Sequence, residues 1–439
     1  MGTDINRRFA VAQAVPVCNG WLVTGWKRNL IVVWLSQLFS ITGFMLALPF
    51  APFYIQALGV SDPAKVRIWA AFSQFSAAFG LAVMGPIWGM LADRYGRKKM
   101  MLRANFCAAV VLSAMAAAPN VWIFIALRLM QGMFTGTMNA AMAFVASYTP
   151  HRRQGTALGT LSAAVCCGAM AGPALGGLLA ETVGYRATFV GAGQLLLLSA
   201  LLVLFLVREQ FTGPVDRPAP EGAARASWRE RVAELGPGAP ILFLVFLASF
   251  ARRFDGPYLA LFVQELHGKL EGVSRLTGLV FTISALGAAI SGPLLGWVAD
   301  RSSPLRVGRV SALVAGLAMG SLGFCRSLLY VPVARFVAAF AGGGLDPVFF
   351  AWLSRLTPQE RRGTIFGWST TARSLGWGIS PLVGAMIAVP LGLRAVFFAG
   401  VLWCLLLLPV MGVVSRRVAA MRATSDWPGP ASEEGPRMP

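Results

Sequence analysis

The chain has 439 residues, of which 56% are hydrophobic and only 13% charged, and its mean hydropathy is +0.65. A soluble domain would carry roughly twice that share of charged residues, so the composition excludes an ordinary soluble enzyme or binding module. The net charge of +20 is scattered over many loops, whereas a nucleic-acid-binding protein gathers its basic residues on one soluble face. The composition therefore predicts a membrane protein with no nucleic-acid partner.

Twelve apolar segments follow in chain order, each long enough to cross a bilayer as a helix. The predicted spans are 30–54, 68–91, 101–118, 122–147, 155–181, 184–207, 240–265, 274–299, 308–325, 329–352, 363–387 and 393–415. We expect two six-helix bundles, 29–207 and 240–415, joined by a polar, arginine-containing cytoplasmic linker at 208–239. Residues 1–28 are predicted to form a cytoplasmic N-terminal segment and residues 416–439 a disordered cytoplasmic tail. The predicted fold class is an all-α membrane protein with twelve transmembrane helices.

The basic residues predict the orientation of the chain. When successive loops are assigned to opposite sides, 26 of the 38 Lys and Arg residues lie on the side that holds both termini, and seven lie on the other side. Cytoplasmic loops of membrane proteins carry such an excess. Both termini are therefore predicted in the cytoplasm of a bacterial-type plasma (inner) membrane, which the chain crosses many times.

An internal repeat links the two predicted bundles. The segment GPIWGMLADR at 85–94 returns 207 residues later as GPLLGWVADR at 292–301. Further matches follow in the same order, namely Pro49 with Pro257, Gln56 with Gln264, Arg128 with Arg335, Pro173 with Pro381 and Gly176 with Gly384. Such duplication is common among secondary transporters. Since six spans preserve orientation, we expect the bundles to be pseudo-symmetric about an axis along the membrane normal.

The first copy of the repeat continues into a charged loop, GMLADRYGRK at 89–98. This loop resembles the loop 2–3 signature of the major facilitator superfamily, through Gly89, Asp93, Arg94, Gly96 and Arg97. Segment 168–177 of span 5 resembles the antiporter motif of that family, through Gly168, Gly172, Pro173 and Gly176. Segment 48–52 (LPFAP) resembles the span 1 motif of drug exporters, and segment 128–132 (RLMQG) resembles the span 4 motif.

Together these segments resemble the twelve-helix drug:proton antiporter branch of the superfamily, over residues 29–415. The resemblance implies the major facilitator fold and a secondary active transporter that works by alternating access. It also implies efflux of small amphipathic compounds or drugs, with protons as the coupling ion. The chain departs from the branch in one respect, because span 1 has no acidic residue, although some drug exporters carry one there.

The loop signature and its second copy have a physical interpretation as gates. Asp93 ends span 2, and in a pseudo-symmetric bundle it can lie near the start of span 11, where the partial positive charge of a helix start attracts a carboxylate. It is therefore predicted to latch the cytoplasmic side in one state. Asp300, followed by Arg301, would do the same near the start of span 5. The alternative is that both are charged turns that anchor helices at the lipid headgroups.

The glycines of the predicted antiporter motif recur every four residues, at Gly168, Gly172 and Gly176, and so form one smooth stripe. Small residues allow close helix packing in lipid, and Pro173 is expected to kink the helix. The functional interpretation is a tight, bendable contact between the halves that limits leakage. The alternative is ordinary packing of small residues.

Polar residues inside the spans predict the transport cavity, because a charge at the bilayer centre needs a wet or paired site. Helical spacing gives span 4 a polar face, formed by Arg128, Gln131, Thr135 and Asn139. Arg335 occupies the equivalent position on span 10, and Phe50 and Tyr258 are predicted aromatic walls for an amphipathic substrate. The alternatives are that the arginines snorkel towards the membrane surface and that the aromatic residues fill the core.

Asp255 and Asp346 are the acidic residues that lie well inside predicted spans. A poorly hydrated cavity favours the protonated form of a carboxylate, so both are candidates for proton coupling. The neighbouring Arg252 and Arg253 leave open a purely structural ion pair for Asp255.

The sequence contains no catalytic, metal-ligand or phosphate-loop motif, so we expect no enzyme activity, no metal and no cofactor. A small-molecule substrate, protons, the lipid bilayer and a monomeric state are the expected partners and assembly. The excess of arginine within spans keeps an alternative open, an exporter or importer of an organic anion or other metabolite, with or without proton coupling. A sensor with a transporter fold is another.

Overall fold

The computed structural model describes residues 21–150, 153–209, 239–269, 271–345, 349 and 362–424. These residues are almost entirely helical, and none of them lies in a β-strand. Ten helices in this part of the chain have the length and apolar composition needed to cross a membrane. Two further spans consist of shorter helices, so the described residues contain the twelve predicted spans in whole or in part.

The first six spans form the N-terminal bundle. Their helices are Trp21–Ala47, Leu48–Phe50 (a 3-10 turn) and Ala51–Ala57 in span 1, Pro63–Tyr95 in span 2, Arg97–Ala116 in span 3, Val121–Phe134 and Thr137–Tyr148 in span 4, Gln154–Thr182 in span 5, and Tyr185–Leu206 in span 6.

The last six spans form the C-terminal bundle. Their helices are Ala239–Arg253 and Gly256–His267 in span 7, Val273–Arg301 in span 8, Pro304–Gly323 in span 9, Tyr330–Gly343 in span 10, Arg362–Leu391 in span 11, and Leu393–Thr424 in span 12. The end of span 10, with the proton-coupling candidate Asp346, lies outside the described residues.

The two ends of the helical region differ from the predicted boundaries. The first helix begins at Trp21, within the predicted N-terminal segment 1–28. Span 12 continues to Thr424, past the predicted end at 415. The added residues are rich in Ala, Met and Arg, which are good helix formers, and cations are favourable near a helix C-terminus. Most of the predicted linker, 210–238, and the tail from 425 onwards lie outside the described residues.

Span 4 is not one continuous helix, so its predicted single polar face is wrong. The first helix ends at Phe134, and Thr135 is extended with φ −70° and ψ 166°. Gly136 then has φ +134°, a conformation that favours glycine because it has no side chain. Asn139 therefore lies on a second helix, while Arg128 and Gln131 share the first.

The repeat found in the sequence is also visible in the packing. Spans 1 and 7 are interrupted just before Phe50 and Tyr258, which are repeat equivalents. Phe50 packs on Gly176, where an added Cβ would lie 2.8 Å from its Cε2 atom. Tyr258 packs in the same way on Gly384, the equivalent of Gly176, where the corresponding distance is 2.6 Å. Each bundle therefore packs one aromatic ring against a glycine at the equivalent position.

The bundles meet mainly through two pairs of spans, 2 with 11 and 5 with 8. In the second pair Gly177 faces Gly278, and a Cβ on either residue would lie 3.2 to 3.3 Å from the other's Cα. The carbonyl of Pro173 is also in contact with Gly278. Small residues thus let the backbones of the two bundles touch.

Candidate functional site

Arg128 of span 4 is only 1% exposed, and neutral atoms hold its guanidinium. Its Nε donates to the carbonyl and the Oγ of Ser73, at 3.3 and 3.0 Å. Its Nη1 donates to Gln131 Oε1, and its Nη2 donates to Gln74 Oε1 at 2.9 Å. Arg128 is therefore a buried cation whose partners, among the described residues, include no carboxylate.

Arg335 of span 10 has a different environment. Its Nη1 donates to Asp255 Oδ2 at 2.5 Å, the side chains being 13% and 1% exposed. Charged hydrogen bonds of this kind are roughly twice as strong as neutral ones. Asp255 Oδ1 and Arg335 Nε are buried, and neither has a hydrogen-bond partner among the described residues. Asp255 is thus in an ion pair with Arg335 of span 10. The pairing that the sequence suggested was with its neighbours Arg252 and Arg253 on the same span.

Gln74 of span 2 lies between Arg128 and the interruption of span 7 that follows Asp255. While its Oε1 accepts from Arg128, its Nε2 approaches Gly256, 3.9 Å from the position that a Cβ would take there. Gly256 directly follows Asp255 and begins the second helix of span 7. A side chain of the N-terminal bundle therefore reaches from the buried Arg128 to the interruption of span 7 in the other bundle.

The predicted cavity residues are mostly buried in this conformation. Phe50 and Tyr258 are 1% and 0% exposed, and Gln131 is 4% exposed. The Tyr258 hydroxyl donates to the carbonyl of Pro381 within its own bundle. Asn139 is exposed and Arg335 is partly exposed. Phe50 and Tyr258 are therefore core residues in this conformation, in an apolar cluster drawn from both bundles, and do not form open walls.

The three stripe glycines, Gly168, Gly172 and Gly176, pack on span 1 of their own bundle, against the carbonyls of Leu38, Thr42 and Leu46. The expectation that this stripe joins the two halves is therefore wrong for these three residues. Helical spacing showed a smooth face but could not tell which neighbour covers it. The contact between the halves is made one residue to the side, by Pro173 and Gly177.

The loop signature ties the N-terminal bundle together. Gly96 has φ +95° and donates its N–H to the carbonyl of Ala92, which ends span 2. The carboxylate of Glu209 accepts the N–H groups of Arg97 and Lys98, at 2.9 and 3.0 Å, at the positive start of span 3. Arg97 also donates to the carbonyl of Ala143. Glu209 was not among the predicted site residues, although an acid directly after a span was a usable signal.

The remaining gate candidates are less informative. Arg94 and Arg301 are exposed, and each lies over an aromatic ring of its own helix, Tyr95 and Trp297 respectively. The side chains of Asp93 and Asp300 lie outside the described part of the structure, and so do the side chains at the start of span 11, where the partner of Asp93 is expected. The latch therefore stays a prediction.

Polar contacts across the two bundles lie at the end of the molecule away from the first and last described residues, Trp21 and Thr424. Gln56 and Gln264 bond to each other, and the Tyr185 and Ser274 hydroxyls are 2.9 Å apart. Glu181 accepts from the N–H of Gly272. Arg67 Nη1 donates to the carbonyl of Ala388 at 2.7 Å. The described spans are therefore closed against one another at this end.

At the opposite end, which holds the first and last described residues, each bundle keeps a buried core of its own. Glycines of spans 2, 5 and 8 would there accept a Cβ with no other atom within 4 Å, and they are Gly85, Gly89, Gly155, Gly159, Gly292 and Gly296. The described parts of the two bundles thus make polar contacts with each other at one end, whereas these glycines face open space at the other.

Comparisons with known proteins agree with this architecture. Residues 33–270 and 241–434 match the model of the Major Facilitator Superfamily. The chain is 33% identical over 374 residues to a protein named multi-drug resistance efflux pump PmrA homolog from Lactococcus lactis subsp. lactis (strain IL1403), covering 84% of this chain and 90% of the relative. It is 34% identical over 384 residues to multidrug resistance protein MdtG from Escherichia coli (strain SMS-3-5 / SECEC), covering 87% and 92%.

Solved structures show the same fold at lower identity. A bacterial homolog of the human lysosomal transporter Spinster, in an inward-facing and occupied conformation, aligns with a TM-score of 0.70 at 16% identity, over 88% of this chain and 96% of that one. The human organic anion transporter MFSD10 aligns with a TM-score of 0.63 at 19% identity, over 88% and 99%.

Proposed function

This chain belongs to the major facilitator superfamily, and we propose that it exports small amphipathic compounds or drugs in exchange for protons. Membership of this family makes it a membrane transporter rather than an enzyme. Two relatives that share a third of its residues over nearly their whole length carry the names of multidrug efflux proteins, which supports the substrate class. The proposed mechanism is alternating access, with the two bundles rocking about a central chamber.

We propose that both termini face the cytoplasm of a bacterial-type inner membrane, as the distribution of basic residues predicts. In that orientation the described conformation is open to the cytoplasm and closed to the outside. It is the state in which an exporter would collect its substrate. The proposed units are the bundles 29–207 and 240–415, in a monomer.

The observation that carries the proposal is the buried pair of Asp255 and Arg335 at the interruption of span 7. When Asp255 binds a proton, its charge no longer compensates Arg335, and an unpaired buried charge is costly. Protonation therefore favours a conformation in which Arg335 finds water or another partner. Proton binding and the change of state are then linked through one ion pair.

The organic-anion alternative has less support. It rested on the excess of arginine within spans, but Arg128 is enclosed by Ser73, Gln74 and Gln131 and is 1% exposed. A guanidinium in that position has its hydrogen bonds satisfied by the protein, so a substrate anion has little to gain from it.

The test is dye transport into inside-out vesicles that contain the protein, with an imposed pH gradient. Asp255→Asn should abolish accumulation driven by the gradient, because the amide cannot bind a proton, but it should still allow dye to exchange down its own gradient. Asp62→Asn is the matched control, since Asp62 lies outside the spans and caps Ala64 with an oxygen that asparagine keeps. Full gradient-driven accumulation by Asp255→Asn would refute the proposed coupling site.

A further inference from the structure

Gln56 and Gln264 form a reciprocal pair between the bundles. Gln56 Nε2 donates to Gln264 Oε1 at 2.9 Å, and Gln264 Nε2 donates to Gln56 Oε1 at 3.1 Å. The two residues are also equivalent in the sequence repeat, 208 positions apart. Each glutamine therefore bonds to its own counterpart in the other half.

This arrangement fixes the position of the pair in the molecule. In a two-fold assembly, a residue can touch its own equivalent only where the symmetry axis passes between the two copies. The same holds for two repeats within one chain, so the pair marks the pseudo-symmetry axis at the closed end. Any chamber between the bundles lies on that axis, and its way out at this end leads through the two amides.

An apolar layer lies one helical turn below the pair. It contains Phe53 of span 1, three residues before Gln56, and its repeat equivalent Leu261 of span 7. Both are buried, at 3% and 7% exposure, in a cluster drawn from the two bundles. The exit is thus closed by apolar side chains on the chamber side and by an amide pair at the end.

We propose that Gln56 and Gln264 are the outer gate of the export route and must separate each time substrate leaves. An amide has both a donor and an acceptor, so identical side chains can bond to each other in both directions. Two carboxylates or two ammonium groups would repel. Because amides do not titrate, the hydrogen bonds between the two amides do not themselves change with pH. The gate's role in export rests on the proposed function, but its opening can be measured without any substrate.

The test measures the distance between spin labels on the outer ends of spans 1 and 7. Ala57→Cys and Glu265→Cys are suitable sites, because both positions are exposed, flank the pair and are themselves repeat equivalents. The labelled protein, with its native cysteines replaced and reconstituted in lipid nanodiscs, should show one short distance. Adding Gln56→Ala and Gln264→Ala should raise the ratio of open to closed outer end by roughly tenfold, as expected for two lost neutral hydrogen bonds.

Two further variants make the outcome decisive. Gln56→Glu combined with Gln264→Lys should restore the short distance, because opposite charges replace the amide bonds; this rescue also shows that the altered protein folds. Tyr185→Phe removes one cross-bundle hydrogen bond away from the axis and should leave the distances unchanged. Unchanged distances in the double alanine variant, or equal opening in Tyr185→Phe, would overturn the assignment. A dye-transport failure with intact gating would instead refute the proposed function alone.

Discussion

The two bundles bury equivalent arginines in opposite ways. Arg128 in the N-terminal bundle is surrounded by neutral oxygens, whereas Arg335 in the C-terminal bundle is paired with Asp255. The sequence repeat explains the difference. Where Arg128 has Ser73, Gln74 and Gln131, the equivalent positions around Arg335 are apolar, namely Val280, Phe281 and Ala338; and where the C-terminal bundle has Asp255, the N-terminal bundle has Ala47.

The duplicated fold thus surrounds two equivalent arginines with different partners, neutral groups in one bundle and a carboxylate in the other. A neutral network around a guanidinium has the same charge at any physiological pH, so the N-terminal site is suited to a fixed anchor. The C-terminal site instead holds a carboxylate opposite the guanidinium, and on the proposed function this carboxylate is the group that switches. On the proposed function, the acid that span 1 lacks is supplied at the equivalent position of span 7, by Asp255.

The largest effect is expected when Asp255 is removed from its ion pair with Arg335. Asp255→Ala leaves Arg335 largely buried without its counter-charge and should lower the free energy of unfolding by about 3 kcal/mol. Thermal unfolding in detergent measures it. Combining Asp255→Ala with Arg335→Leu should recover most of the loss, since no unpaired charge then remains. If the single variant were as stable as the wild type, the pair would contribute no compensation.

A smaller effect is expected when the neutral network around Arg128 loses one hydrogen-bond acceptor. Gln131→Leu removes one neutral acceptor and leaves a buried N–H of Arg128 unpaired, which should cost about 2 kcal/mol. Gradient-driven dye transport should keep its dependence on the pH difference, because the coupling acid is untouched. Loss of that dependence would contradict the division into anchor and switch. Exposed Asn139→Ala serves as the control on the second helix of the same span.

The smallest effect is expected when Arg128 is given a carboxylate partner, as Arg335 already has. Gln74→Glu places a carboxylate opposite Arg128 Nη2, which now lies 2.9 Å from the amide oxygen. The new attraction is present while the carboxylate is ionised and is lost as the pH falls and it gains a proton. The variant should therefore lose about 1 kcal/mol more stability than the wild type on acidification. Parallel pH profiles for the two proteins would show that the site cannot be converted.

Much of the fold could be predicted because hydrophobic length and the repeat are properties of the sequence itself. The interruption of span 4 at Gly136 was missed, since a lone glycine in an apolar run does not reveal a positive φ. The partners of the charges were missed for a different reason. Helical spacing tells which residues share a face, but Asp255 is paired with a residue 80 positions away, and only the packing of spans decides which faces meet.

The contact of Gly177 with Gly278 has a mechanical consequence. These two residues act as a fulcrum on which spans 5 and 8 can roll, because no side chain stands between their backbones. A larger side chain at either position would collide with the backbone of the other helix and increase the distance between spans 5 and 8 near the closed end. On the proposed mechanism, the size of the residue at this one contact between the bundles can therefore shift the balance between the two orientations of the transporter.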